Sequence, residues 1–124
     1  AVLSHVTHLL VNAGEAEALV SATEVALADQ PVEAVVVTRG SQGAEWISAG
    51  TEPLFTPAFP VTPVDTTGAG DCFAGSLAAA LDRGATPAEA LRYAAAAAAI
   101  QVTRPGAAPA MPARPEVEAL LAKG

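Results

Sequence analysis

The sequence predicts an α/β domain: a mostly parallel sheet flanked by helices. Three observations predict it. Val35-Val36-Val37 is a continuous apolar, β-branched run, the pattern of a strand covered on both faces. It follows a stretch of helix formers at residues 15–27, itself preceded by a short apolar strand at residues 6–11. Strand, helix, strand in that order is the unit of a parallel sheet with a crossover. Two further helical stretches follow a turn-rich middle region, with glycine, threonine and proline marking their ends.

Each element has its own signals. The first strand contains Val6, Leu9, Leu10 and Val11 and stops at Asn12. The helix over 15–27 sets Ala16, Leu19, Val20, Ala26 and Leu27 on one side, and Asp29-Gln30-Pro31 breaks it. A second strand spans 32–38. Gly40 and Gly43 bracket a turn, and residues 44–48 and 54–59 are two short strands around Ala49-Gly50-Thr51-Glu52-Pro53. Pro53, Pro57, Pro60 and Pro63 confine this region to sheet edges and extended loops. A helix over 72–83 places Phe73, Leu77 and Leu81 at i, i+4 and i+8, with Gly84 at the position after its end. Thr86-Pro87-Ala88-Glu89 starts another: a threonine cap, proline in the first turn, glutamate three residues on. That helix runs to Thr103, because Pro105 ends it. Its small residues at 94–99 let it lie close to a neighbouring element or a ligand. Residues 104–115 form a proline-rich loop, and residues 116–122 a last short helix.

The chain has 124 residues, which fits one domain. Six Lys and Arg stand against thirteen Asp and Glu, for a net charge of −7. That balance excludes a general nucleic-acid binder and docking on anionic lipid, since little is present to neutralise phosphates. A hydrophobic fraction of 52% with 15% charged residues is that of a packed chain. The single cysteine, Cys72, excludes an internal disulfide and a cysteine-only zinc site, and a reducing, cytoplasmic setting is expected. No apolar run reaches the roughly 18 residues of a membrane span. The chain begins with Ala1, and a fragment or processed chain is the expectation. His5 and His8 lack a third ligand nearby and read as exposed or strand residues, Trp46 as a core or edge aromatic and Cys72 as packing.

Three segments carry chemistry. In Asp65-Thr66-Thr67-Gly68-Ala69-Gly70-Asp71 two glycines precede a helix, so backbone N–H groups and the helix dipole converge into an anion hole. Asp71, in the first turn, is placed to accept a proton from an attacking hydroxyl. Alone, the segment is also a glycine turn with an aspartate complementing a helix N-terminus. Asn12-Ala13-Gly14-Glu15, at a strand end, can turn oxygens toward a hydrated Mg²⁺; alone it is equally an asparagine cap with a first-turn glutamate. Thr38-Arg39-Gly40-Ser41-Gln42-Gly43 offers hydroxyls and open amides to nucleotide phosphates, or is a plain hairpin turn.

Together and in this order, these segments resemble the C-terminal half of the ribokinase-like sugar kinases, the phosphofructokinase B family. The likeness runs from about Leu9 to Lys123, through Asn12 and Glu15, Val37 to Gly43, and Val64-Asp65-Thr66-Thr67-Gly68-Ala69-Gly70-Asp71-Cys72-Phe73-Ala74-Gly75. The stretch Ala97 to Ala107 is most similar to the ribokinase branch. The resemblance implies ATP-dependent phosphorylation of a hydroxyl on a small sugar, ribose being favoured. Asp71 would be the base and the only placed sugar contact, with Gly68, Ala69 and Gly70 as the anion hole for the γ-phosphoryl group. Asn12 and Glu15 would order Mg²⁺ through water, and Asn12, Thr38, Gly40, Ser41, Gly43, Gly70 and Ala95 would bind ATP. A K⁺ site would use the Asp65 side chain and the carbonyls of Thr67, Gln101, Arg104 and Gly106. Ala110 stands where the family usually has a side-chain oxygen, which weakens that site, and Ala95 replaces a polar residue beside adenine. Family chains are more than twice as long, and the absent N-terminal half holds most sugar contacts and the lid. Residues 1–124 therefore read as a partial kinase domain, inactive by itself and prone to homodimerise or self-associate at exposed sheet edges. The alternatives are a non-catalytic nucleotide-binding fragment and a hydroxymethylpyrimidine or pyridoxal kinase.

Overall fold

The computed structural model describes residues 8–23, 29, 33–50, 52–61, 64, 69–103 and 112–123. Among them are strands β1 (His8–Asn12), β2 (Ala34–Thr38), β3 (Ala44–Ile47) and β4 (Leu54–Thr56). The helices are α1 (Ala13–Thr23), α2 (Ala69–Asp82), α3 (Pro87–Val102) and α4 (Arg114–Lys123). The strands form one sheet in the order β1-β2-β3-β4. β1 and β2 are parallel, with Leu10 opposite Val36 and Asn12 opposite Thr38. β2 with β3 and β3 with β4 are antiparallel. Parallel pairing is thus confined to the strands joined through α1. The later connections are hairpins, which return the chain antiparallel.

Helices cover both faces of the sheet. Val35 and Val37 point to one face and pack with Ala16 of α1. Val36 points to the other and joins Ala34, Ala44 and Trp46 against Phe73 and Leu77 of α2 and Leu91 and Ala94 of α3. All three valines are fully buried, each contributing about 1.5–3 kcal/mol through the apolar area removed from water. The uninterrupted run in the sequence reflects this two-sided burial. Trp46 is buried in the core, one of the two places its sequence context allows, and its ring centroid lies 5.1 Å from that of His8.

α3 lies close to its neighbours because most of its buried residues are alanine: Ala90, Ala94 and Ala95 pack in the cluster with Phe73 and Leu77 of α2, and Ala96 and Ala97 in the cluster with Val117 of α4. Its start is a capping box. The Glu89 amide donates to Thr86 Oγ1 at 3.2 Å, and the Thr86 amide donates to Glu89 Oε1 at 2.9 Å. α2 ends at Gly84, whose φ of 90° is open to glycine with little strain. α4 is held by Val117, fully buried beside Cys72, Ala96 and Ala97.

Several boundaries differ from expectation, each for a local reason. β4 ends at Thr56 rather than residue 59, because Pro57 has no N–H to continue a ladder. α2 begins at Ala69 rather than Cys72, which makes Ala69 and Gly70 part of the helix itself. α4 begins at Arg114 rather than residue 116. Pro115 is accommodated in its first turn, and the Ala113 amide donates to Glu116 Oε1 at 3.0 Å. α1 begins at Ala13 and runs to Thr23; the expected stretch 24–27 lies outside the described residues.

Candidate functional site

The parallel strands β1 and β2 end side by side at Asn12 and Thr38. In an open α/β sheet the crevice beyond the carboxyl ends of parallel strands is where ligands bind. A cavity of about 460 Å³ opens beside Thr38. One side is the turn after β2, through Thr38, Gly40 and Gly43. The N-terminus of α2 also lines it, through Ala69 and Gly70. Ala95, Ala98, Ala99 and Val102 of α3 form an apolar wall, faced by Phe59, Pro60 and Val61.

Local chemistry explains each side. The turn Gly40–Gln42 is a single 3-10 turn. It is closed by the Arg39 amide donating to the Gly43 carbonyl at 2.8 Å. Gly43 has φ of 102°, and a Cβ there would collide with the Thr56 carbonyl oxygen and lie 2.9 Å from Pro57 Cα. Only glycine lets the turn lie against the end of β4. The Thr38 hydroxyl donates to the Val11 carbonyl at 3.4 Å, fastening β2 to β1 where the cavity begins. Arg39 reaches away to Glu45 Oε1 at 2.8 Å. At α2, the first backbone N–H groups of a helix have no intrahelical acceptor. Ala69 and Gly70 of the first turn line the cavity. Apart from its chain neighbours and its own helix backbone, nothing lies within 4 Å of where a Cβ on Gly70 would sit, so there is open space beside it.

Thr38, Gly40, Gly43, Ala69, Gly70 and Ala95, which sequence reading places in one site, line this one cavity. Ser41 lies in the same 3-10 turn. Asp71 is exposed in the first turn of α2, one residue past the cavity-lining Gly70. Asn12 and Glu15 do not line the cavity. They bracket the start of α1 in a reciprocal cap: the Glu15 amide donates to Asn12 Oδ1 at 2.8 Å, and the Asn12 amide to Glu15 Oε1 at 3.0 Å. The capping arrangement weighed for this pair is therefore formed, and it engages one carboxylate oxygen of Glu15. Gln101 is buried in α3. Asp65, Thr67, Gly68, Arg104, Gly106 and Ala110 lie outside the described residues, as does His5. Among the described residues no group of three or more His, Cys, Asp or Glu side chains is gathered for a metal. No described helix is long and apolar enough to cross a membrane.

Cys72 is buried directly behind Asp71. Its place near a helix N-terminus favours a thiolate, but burial outweighs that and pushes the thiol above its ordinary value, with a Ser76 hydrogen bond opposing. The packing role read from the sequence fits this environment. Sequence reading missed Phe59, Pro60 and Val61. Their only signal was the prolines around them, which mark an extended segment without saying what it faces.

One cleft thus brings together the turn after β2, the first turn of α2 and an apolar stretch of α3, at the switch from sheet to helices. The chain belongs to the pfkB family of carbohydrate kinases, whose family pattern matches residues 1–114. It is 44% identical over 121 residues to the ribokinase of Bacillus subtilis, across 96% of this chain and 41% of that protein. It superposes on the Arabidopsis thaliana ribokinase complexed with ribose and ATP with a TM-score of 0.83 at 32% identity. That match covers 96% of this chain and 42% of the other. A putative ribokinase II from E. coli, in complex with ATP and Mg²⁺, gives a TM-score of 0.86 at 32% identity, covering 99% and 41%. The fold is thus ribokinase-like, and this chain spans about two-fifths of the length of these relatives.

Proposed function

We propose that this chain is the nucleotide-binding part of an ATP-dependent sugar kinase, with ribose the favoured acceptor. One observation carries the reading: the turn after β2, the first turn of α2 and the small residues of α3 line a single cleft. The apolar wall around Ala95, Ala98 and Phe59 suits a purine ring, and the Ala69 and Gly70 amides suit its phosphates. Relatives solved with ribose and ATP, and with ATP and Mg²⁺, share the fold over almost the whole of this chain.

In this reading Asp71 takes the proton from the sugar hydroxyl as that oxygen attacks the γ-phosphorus in line and ADP leaves. The α2 amides hold the charge that develops on the transferred group. Position supports the assignment: Asp71 adjoins the amides, is exposed to an incoming substrate, and stands on a helix fixed by Phe73 and Leu77. Mg²⁺ fits here only through water, since Glu15 Oε1 already accepts from the Asn12 amide. Asn12 and the other Glu15 oxygen would hold it through its bound water, and it would neutralise phosphate charge. Residues 1–124 form a partial domain in this reading, and K⁺ belongs to it through the Asp65 side chain and the carbonyls of Thr67, Gln101, Arg104 and Gly106.

The test is calorimetric titration of Mg-ATP into the full chain. Saturable binding is expected. Gly70→Val, which fills the open space beside the first turn of α2, weakens it at least tenfold, whereas Asp71→Asn changes it less than threefold. A folded chain that binds no Mg-ATP would overturn the nucleotide assignment. A large loss of binding in Asp71→Asn would overturn the base assignment.

A further inference from the structure

A second cavity, about 440 Å³, lies at the other end of the helical layer, where the C-terminus of α2 meets the starts of α3 and α4. Its lining is unlike that of the cleft. Arg83, Arg92 and Arg114 all border it. They are half of the six Lys and Arg in a chain of net charge −7. Three separate elements bring them together, so no local charge run accounts for the cluster.

The state of each guanidinium matters. Arg83 lies over the Tyr93 ring, 4.8 Å from its centroid. Arg92 lies over the Phe59 ring at 5.2 Å. Stacking occupies the flat face of a guanidinium and leaves its in-plane N–H donors to an acceptor. Among the described residues neither arginine has a carboxylate within ion-pair distance. Arg114 meets Glu118 through one 3.3 Å bond between side chains more than half exposed, a pair worth little and readily exchanged. Glu89, the other acid on the rim, is turned back onto the Thr86 amide at 2.9 Å. The rim thus holds three guanidinium forks, two of them pre-oriented by aromatic rings. Its two acids are one committed to a cap and one weakly bonded.

We propose that this cavity is a binding site for a phosphate group, distinct from the nucleotide cleft and independent of the kinase reading. Phosphate suits it because a guanidinium fork matches two of its oxygens at once, and the cavity has room for a small phosphorylated molecule.

The experiment is a titration of inorganic phosphate into the ¹⁵N-labelled full chain, at ionic strength held constant with sodium chloride. The amides of Gly84 and Tyr93 report on this cavity, and those of Gly43 and Gly70 on the cleft. Saturable shifts of Gly84 and Tyr93 are expected, with half-saturation raised about tenfold in Arg83→Gln and in Arg92→Gln, the loss of one charge-assisted contact. Arg114→Gln alters a side chain that is 57% exposed, so it tests the site without disturbing packing, and a weakening is expected there too. Repeating the titration with glycerol phosphate names the source: tighter binding of the ester assigns the cavity to a phosphorylated metabolite, equal binding to free phosphate. Shifts confined to Gly43 and Gly70, shifts that never saturate, or unchanged affinity in Arg114→Gln would overturn the proposal.

Discussion

Gly43 and Gly70 border the same cleft for different physical reasons. Gly43 is required by the fold: its φ is 102°, and backbone of the β4 end occupies the space a side chain would need. Gly70 has helical neighbours on both sides and empty space where a Cβ would go. Two substitutions separate these roles. Gly43→Ala strains the backbone and forces the turn off β4, so urea denaturation should show a loss on the order of 2–3 kcal/mol. Gly70→Ala should leave the urea midpoint unchanged or raised, by at most about 1 kcal/mol, since alanine is the better helix former. It should nonetheless weaken Mg-ATP binding, because the methyl enters the open space beside the first turn of α2. Equal binding in Gly70→Ala and the parent chain would detach this glycine from the phosphates.

Helix starts in this chain use one device repeatedly. Asn12 with Glu15 and Thr86 with Glu89 are reciprocal boxes, and Glu116 accepts from the Ala113 amide. At α3 the consequence is measurable. Backbone and side-chain hydrogen bonds to Thr86 hold the Glu89 carboxyl below its ordinary value of 4.5. A depressed folded value means that the unfolded chain binds the proton more readily. The contribution is therefore complete above about pH 4.5 and is lost as pH falls through the folded value. Glu89→Gln, which keeps an acceptor but not the charge, should flatten that acid limb, as thermal unfolding between pH 3 and 6 would show. Thr86→Ala should cost about 1 kcal/mol at neutral pH. This box was legible from Thr86-Pro87-Ala88-Glu89, because capping is a matter of residues three apart. Val35-Val36-Val37 was legible for a similar reason, since burial on both faces writes itself into consecutive residues. The wall at Phe59, Pro60 and Val61 was not. It is created by α3 arriving from some forty positions later in sequence, and nothing local records that encounter. The start of α2 was misplaced by three residues because glycine argues against a helix. The anion-binding reading of that segment already required its amides to point like those of a helix N-terminus.

At the scale of the whole molecule, the sheet is incomplete in a specific way. Among the described strands β1 has a neighbour on one side only, and β4 forms the other edge. Near the β4 edge and the cleft, Phe55 is 59% exposed and Val64 65% exposed, with Leu54 and Val61 also open to solvent. Apolar side chains beside an unpaired strand are adhesive, and proteins ordinarily cover or charge such edges. The relatives are more than twice as long, which leaves ample chain to cover these surfaces. By itself this chain should associate with itself: sedimentation velocity should show mass rising with concentration, and Phe55→Lys should suppress the rise without moving the unfolding midpoint. The same incompleteness bears on catalysis. In-line phosphoryl transfer needs the acceptor hydroxyl held against the γ-phosphorus and water kept out. In the proposed reading the cleft supplies nucleotide contacts, and Asp71 is the one group assigned to the sugar. Aligning one hydroxyl by a single exposed carboxylate forgoes most of the rate gained from orientation, which reaches about 10⁵-fold or more in well-positioned systems. The expected result is a chain that binds Mg-ATP saturably yet transfers phosphate to ribose no faster than a control lacking protein, measured by ADP release over hours. Transfer at an ordinary kinase rate of about 1 per second or more would show that these residues also position the sugar, and would refute the partial-site reading.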